Sequence, residues 1–564
     1  MIKISDLSSG SNQRERGISR REFVRRSMLL GATAPVVSVL LAACGAGEST
    51  ESTGADTVAD SARTTPSTSS VVDAPASTET SGGATKETLT VGWLGDLLSL
   101  DPSKMRDTLD TELGYKLYSS LVRIKTGTVD ELVGDLAETW EVSPDGLEYR
   151  FSLRPTAVWQ RDYGPVTAAD VQYSFMRHKD ESVGSLYATE AANIKDVQFE
   201  GDHTAIIIME QPYPGFLAEF AAYRPGFIVN KKAIEDAGER YNERPVGSGP
   251  FLLEVWLPNE KVEIVRHDGF YGDPGPFKRV TYVIIPEEAT IEIALEKGEI
   301  DIAYFFNPET QARVTTNPNL KSESITGPRT YYLQLNLERQ PLDDVRVRQA
   351  LWWAIDKDAL VEGVLLGQGE ATDTLLNPHV FGRLAERPYT YDPDRARQLL
   401  TEAGYPDGFK TSLLIYDTEL VPELGTAIQA MWREIGVVAE LIQREWAQHV
   451  EVRRSGNFDI ALQPQLRLGP DQYITPLMHS SSIPYPNASR YNSPEADELI
   501  DKARITVDES ERERLYHEIQ RIVYRDVPVI PLVHPVFVLA FQPVIQGAVP
   551  GLITLNVTEM SVTG

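Results

Sequence analysis

Few residues in this chain have the type and spacing for covalent chemistry. Its one cysteine, Cys44, ends an apolar run from Met28 to Ala43. A lone thiol there can accept an acyl group but cannot form an internal disulfide, so stability must come from core size and packing. The eight histidines are scattered without pairs at ligand spacing, so no metal site and no other cofactor is expected. No G-x-S-x-G elbow, H-E-x-x-H helix or G-x-x-x-x-G-K phosphate loop occurs. His517-Glu518 is followed by Arg521, where a second histidine would be needed. Catalysis is therefore not expected, and binding is the chemistry that remains.

The residues before Cys44 have the layout of an export signal. Ser19-Arg20-Arg21-Glu22-Phe23-Val24-Arg25 sets two fixed positive charges and an apolar residue in the order a twin-arginine signal needs. The apolar run is too short for a spanning helix, which wants about 20 apolar residues. Leu41-Ala42-Ala43-Cys44 resembles a bacterial lipoprotein cleavage box, in which the thiol receives diacylglycerol; an uncleaved anchor, or a secretory signal with an incidental cysteine, is the alternative. Residues 1–43 are thus expected to be a signal peptide, and Cys44 the lipidation site. Residues 44–86 are mostly Ser, Thr, Ala, Gly, Glu and Asp and cannot offset the entropy of ordering. They are expected to form a disordered tether with a reach of roughly 35 Å.

Residues 87–564 exceed what one core usually serves, so two or more lobes are expected. The net charge is −28, and residues 1–43 carry seven Lys/Arg against three Asp/Glu, so the remainder is more acidic still. Such a body repels nucleic acid and anionic lipid, and neither is an expected partner. Strand and helix patterns alternate. Leu89 to Trp93, Leu147 to Leu153, Ala205 to Met209, Val280 to Ile285 and Val437 to Ile442 read as strands. Thr167 and Asp170 read as a capped helix start that turns Val171, Ser174 and Phe175 inward. Asp343-Asp344 open a helix whose Val347, Ala350, Leu351, Ala354 and Ile355 form one stripe. Asp394 to Ala403 and Pro422 to Ile435 are helices with glycine stops at Gly404 and Gly436. This alternation predicts α/β lobes.

Several segments coincide with one family signature. They are Leu136-Ala137-Glu138-Thr139-Trp140, Ser143-Pro144-Asp145-Gly146, Tyr149 to Arg154, Trp159 and Thr167 to Val171. Val246-Gly247-Ser248-Gly249-Pro250-Phe251, Lys297 to Asp301, Pro341 to Leu351 with Ala354-Ile355-Asp356-Lys357, Asn457 to Ile460 and Tyr491-Asn492-Ser493-Pro494 complete it. Over residues 90–540 the chain resembles the extracellular solute-binding proteins of peptide, dipeptide and nickel importers of the ABC type, family 5. The resemblance implies a periplasmic-binding-protein-like α/β fold of type II, with two hinged lobes and an extra subdomain. Lobe I would be 87–109, 231–334 and 516–564, its subdomain 110–230, and lobe II 335–515. It also implies a monomer on the outer face of the cell membrane, held there by its lipid. Lobe closure would capture a peptide or an organic solute of similar size and present it to a permease with ATPase subunits.

Site residues follow from the resemblance. Trp446 matches a pocket-lining tryptophan of peptide binders. Those proteins then carry an arginine, a tryptophan and an aspartate that holds the peptide's α-ammonium. Here Leu462 and Gln465 stand where the arginine and tryptophan would, and no acid precedes Pro470; Asp471 follows it. A buried ammonium without a carboxylate costs several kcal/mol, so an ordinary zwitterionic peptide is disfavoured. Gln463, Gln465, Arg467 and Asp471 are instead expected to line a polar pocket for an uncharged or anionic solute. Tyr331, Gln334 and Asn336 are placed near the cleft, Gln334 and Asn336 on one strand face. An oligosaccharide, an anionic compound or a nickel chelate as cargo, or a sensory co-receptor role, are the alternatives.

Overall fold

Local signals start the elements where expected. The Thr167 amide donates to Asp170 Oδ2 at 2.8 Å, closing a capping box ahead of helix Ala168–Arg177, and Val171, Ser174 and Phe175 are buried. Asp344 accepts from the Arg346 amide at 2.8 Å and begins helix Val345–Trp353. That helix ends before Ala354 and Ile355, which the stripe had included, yet both stay buried. Gly404 and Gly436 take positive φ beyond helices Pro393–Glu402 and Val421–Glu434, as stops that need no Cβ. This computed structural model describes residues 86–564, apart from 129–130, 328, 418–419, 552–553 and 564. The export signal with Arg20 and Arg21, the lipidation candidate Cys44 and nearly all of the expected tether lie outside the described residues.

The strands assemble into a mixed sheet of twelve. Six of them position the site: β1 (Lys321–Thr326), β2 (Arg329–Leu335), β3 (Lys410–Tyr416), β4 (Val438–Arg444), β5 (Ile460–Leu466) and β6 (Val529–Phe541). On one side the order is β4-β3-β5-β2-β6; beyond β6 it continues with Ile302–Phe305, Thr88–Trp93, Arg279–Ile284, Lys261–Arg266 and Phe251–Leu257. β3 is parallel to both β4 and β5, and β2 runs antiparallel to β5. The long β6 belongs to both halves. Its first part pairs with β2 through Val529 to Val533, and its last part pairs with β1 and with Ile302–Phe305 through Val536 to Phe541. Between β1 and β2, the Gly327 amide donates to Pro535 O at 2.7 Å. A Cβ at Gly327 would stand 2.8 Å from that oxygen and from the Phe537 ring, so the close approach of the two strands requires glycine.

The apolar interior is divided. One cluster joins Leu333, Leu335, Trp352, Leu413, Ile428, Trp432 and Leu462. A second gathers Leu89, Val91, Phe251, Ile264, Val280, Tyr282 and Leu539. A third lies under an antiparallel sheet of Ala137–Val142, Glu148–Leu153, Thr204–Met209 and Ile194–Glu200, and its members run from Leu121 to Val246. Leu109, Leu113, Leu117 and Tyr118 pack in the second cluster, while members of the third run past 230 to Tyr241 and Val246. The expected cut between 515 and 516 falls inside helix Glu509–Asp526, whose Leu515, Tyr516, Ile519 and Val523 pack with Tyr473, Ile474, Leu477 and Ile500.

The segments that carry the resemblance are mostly structural. Gly247 lies so close to the Leu117 carbonyl that any Cβ would overlap it. Buried Arg348 donates to the carbonyl oxygens of Leu342, Asp343, Asp526 and Val527, closing groups no helix or sheet could satisfy. Asp301 accepts from the Thr90 amide at 2.8 Å and pairs with Lys86. Asp459 accepts from the Ser412 amide and hydroxyl at 2.9 and 2.8 Å, tying β3 to the start of β5.

Candidate ligand site

Three parallel strands end together. Their carboxyl ends carry Tyr416 and Asp417 after β3, Gln443 and Arg444 on β4, and Pro464 to Leu466 on β5. The antiparallel β2 brings its first residues, Arg329 and Tyr331, to the same edge. Ligands of α/β sheets collect at such edges, where strand ends and loop amides face outward. Two adjoining hollows of about 530 and 170 Å³ open here and share Tyr416. The larger is lined by Tyr416, Asp417, Gln443, Arg444, Glu445, Trp446 and Gln448; the smaller by Arg329, Tyr331, Tyr416, Pro464, Gln465 and Leu466.

Aromatic rings form the wall between them. Trp446 is the first residue of helix α1 (Trp446–Ser455), behind the cap Glu445, whose carboxylate accepts from the Ala447 amide at 3.0 Å. Its ring centroid lies 4.8 Å from that of Tyr416 and 5.9 Å from that of His449, stacked on the latter at 12°. Trp446 is 49% exposed: a half-open face, not core. The Arg329 guanidinium lies over the rings of Phe306 and Phe537, 5.7 and 5.6 Å away, at the junction of the two sheet halves. The surfaces on offer suit an organic solute with an apolar or planar part held between amide and charged groups.

Beneath this wall is a buried polar layer. Arg453 of α1, 3% exposed, donates to Gln334 Oε1 from Nε at 3.2 Å and Nη2 at 2.8 Å, and to Gln463 Oε1 from Nη1 at 2.8 Å. The Gln463 amide nitrogen meets His449 Nε2. Burial, and then the Arg453 charge, push His449 down to about 4, so it is neutral at pH 7. Gln334 also donates to Pro486 O at 3.2 Å. The layer sets the shape of α1 from below and with it the place of Trp446.

The residues singled out in the sequence therefore divide. Tyr331, Gln465 and Trp446 line the hollows. Gln334 and Gln463 are committed to the buried Arg453 network, and Asn336 donates to the carbonyls of Gly456 and Phe458 at 3.0 and 3.1 Å, fixing the turn before β5. Asp471 opens helix α2 (Pro470–Met478) and pairs with Arg504 at 3.2 Å, while Arg467 points outward. None of these five lines either hollow. Sequence reading missed Tyr416, Arg329, Asp417, Gln443 and Gln448. The one available signal was the boundary itself: Lys410 to Tyr416 alternates into an apolar run and breaks at Asp417.

Comparison with known proteins agrees with this architecture. Residues 131–485 match the model of the bacterial extracellular solute-binding proteins, family 5 Middle. Heme-binding protein A of Haemophilus influenzae is 30% identical over 467 residues, spanning 77% of this chain and 84% of that protein. The dipeptide-binding protein of Escherichia coli is 29% identical over 457 residues, 76% of this chain and 85% of that one. The solved binding protein MoaA from A. tumefacien R10, in complex with mannopinic acid, superposes with a TM-score of 0.74 at 27% identity, covering 85% of this chain and all of that one. The chain belongs to the bacterial extracellular solute-binding proteins of family 5. Its fold is that of the periplasmic binding proteins, and its role is that of a solute-binding subunit in transport.

Proposed function

We propose that this protein captures a peptide or an organic solute of similar size in the hollow around Tyr416 and delivers it to an ABC permease and its ATPase. The reading is carried by one observation: the hollow lies where three parallel strands end, beside the β1–β2 and β6 strands through which the sheet passes from one half to the other. Binding works by closure about those strands. A solute touching both halves shifts the population toward the closed form by its differential affinity. The protein turns nothing over and acts as a monomer. The solutes named for the relatives, heme, a dipeptide and mannopinic acid, support a small organic cargo.

A thermal-shift screen of di- and oligopeptides, sugar acids and nickel chelates tests the reading. A solute at 100 times its dissociation constant is expected to add about 2.7 kcal/mol of stability. A panel without any shift would overturn the proposal.

The anchor belongs to the same proposal: a twin-arginine signal exports the chain, and lipid on Cys44 holds it to the outer face of the membrane. No helix among the described residues is long and apolar enough to cross a membrane, which fits attachment through the lipid alone. Cys44→Ala is expected to move the protein from the membrane pellet to the soluble fraction; continued sedimentation with membranes would contradict lipidation.

A further inference from the structure

Away from the hollow, the subdomain meets the other half of the molecule along a seam. Glu219 lies in the single-turn π-helix Phe216–Ala221 and is only 5% exposed. Its carboxylate abuts Gly469, the residue before α2, so closely that any Cβ at 469 would overlap it. At the other end of the seam, a Cβ on Gly146 would stand 3.0 Å from Val507 Cγ2. The Tyr213 hydroxyl donates to Glu219 Oε2 at 2.7 Å; among the described residues no other donor and no ion pair serves this carboxylate.

The groups facing it come from every element around it. Asp471 of α2 is held by Arg504, at the end of helix α3 (Pro494–Ile505). Arg512 and Tyr516 belong to helix α4 (Glu509–Asp526), and Arg512 is turned over the Phe381 ring at 4.7 Å. Tyr213 stands on Glu219's own side of the seam, with Glu190 adding a distant negative charge on that tyrosine. A carboxylate buried with one neutral donor and a like charge opposite is poorly supported as an anion.

We propose that Glu219 is a proton-operated latch: the closed seam holds it as the neutral acid against Gly469, and opening frees it to ionise in water. The inference rests on the hinged reading above. Burial first, and the Asp471 charge second, push Glu219 up to about 8, against the opposing pull of Tyr213, Arg512 and Arg504. The sign follows. Freed by opening, the group has an ordinary glutamate value near 4.3, so below that value both forms carry the proton and closure is not opposed. As pH rises from there toward 8, closure requires uptake of a proton and weakens.

The test uses the full chain in a Cys44→Ser background, with nitroxide labels on Phe199→Cys and Val438→Cys, and reads the distance between the two halves by pulsed electron resonance. From pH 5.5 to 8 the closed-to-open ratio is expected to fall at least about tenfold. In Glu219→Gln, whose amide is neutral at every pH, the ratio is expected to stay level. Gly469→Ala, which displaces the Glu219 side chain, is expected to favour the open form throughout. A ratio that is flat with pH in the unaltered chain, an equal slope in Glu219→Gln, or closure of Gly469→Ala like that of the unaltered chain would each overturn the latch. The solute reading stands or falls separately: closure driven by a solute at a single pH would survive a pH-independent seam.

Discussion

Replacing Lys357 with methionine is expected to cost about 3–5 kcal/mol of folding stability. Lys357 begins helix Lys357–Gly363 inside the half of the protein that bears the hollow, and both it and Asp373 are almost fully enclosed. Its ammonium is ion-paired with Asp373, donates to Thr372 O at 2.8 Å and sits 4.7 Å from the centre of the Trp352 ring. Burial drags Lys357 down to about 8, and the Asp373 charge holds it from falling further. Methionine fills the volume but strands a buried carboxylate, and that desolvated charge is the source of the loss. The double variant Lys357→Met/Asp373→Leu, which removes both charges, is expected to recover most of it. Urea denaturation with an unchanged slope measures both. A single variant within about 1 kcal/mol of the parent would show that the pair is not buried as described.

The second large effect is on binding. Trp446→Ala is expected to weaken the affinity of a screened solute tenfold or more, about 1.4 kcal/mol, because aromatic faces dominate such contacts. The tryptophan is half exposed; its ring stacks on His449 and meets Tyr416 at a tilt, so the melting temperature of the empty protein should change little. Tyr416→Ala should lose affinity and stability together, since that ring also belongs to the apolar core. Val438→Ala, on the same strand as Gln443 but at its far, exposed end, is the control and should change neither. Isothermal titration gives the affinities; a Trp446→Ala protein that binds like the parent would remove the hollow from the site.

Much of the fold was legible because local chemistry and tertiary packing agree. The Thr167 capping box, the Asp344 cap, the glycine stops and the strands at Leu89, Ala205 and Val280 all read from a few neighbouring residues. The site was less legible. Gln334, Asn336 and Gln463 look like cleft residues, but their amides answer to Arg453 and to the carbonyls of Gly456 and Phe458; for Gln334 and Asn336 those partners lie more than a hundred residues along the chain, and for Gln463 the partner is on the helix before its strand. No periodicity reports such pairings. Tyr416 was hidden because its importance comes from where β3 ends relative to β4 and β5, a matter of sheet order. Glu219 was missed for the same reason: only the folded chain brings it against Gly469, where sequence reading registered no more than a missing acid.

The crystal structure of a complex with a solute from the thermal screen tests the central claim most directly. The solute is expected against Tyr416 and Trp446 at the ends of β3, β4 and β5, touched also by residues from beyond β6, with the halves drawn together over it. A solute bound on one half alone, away from that aromatic wall, with the two halves arranged as in the empty protein, would contradict it.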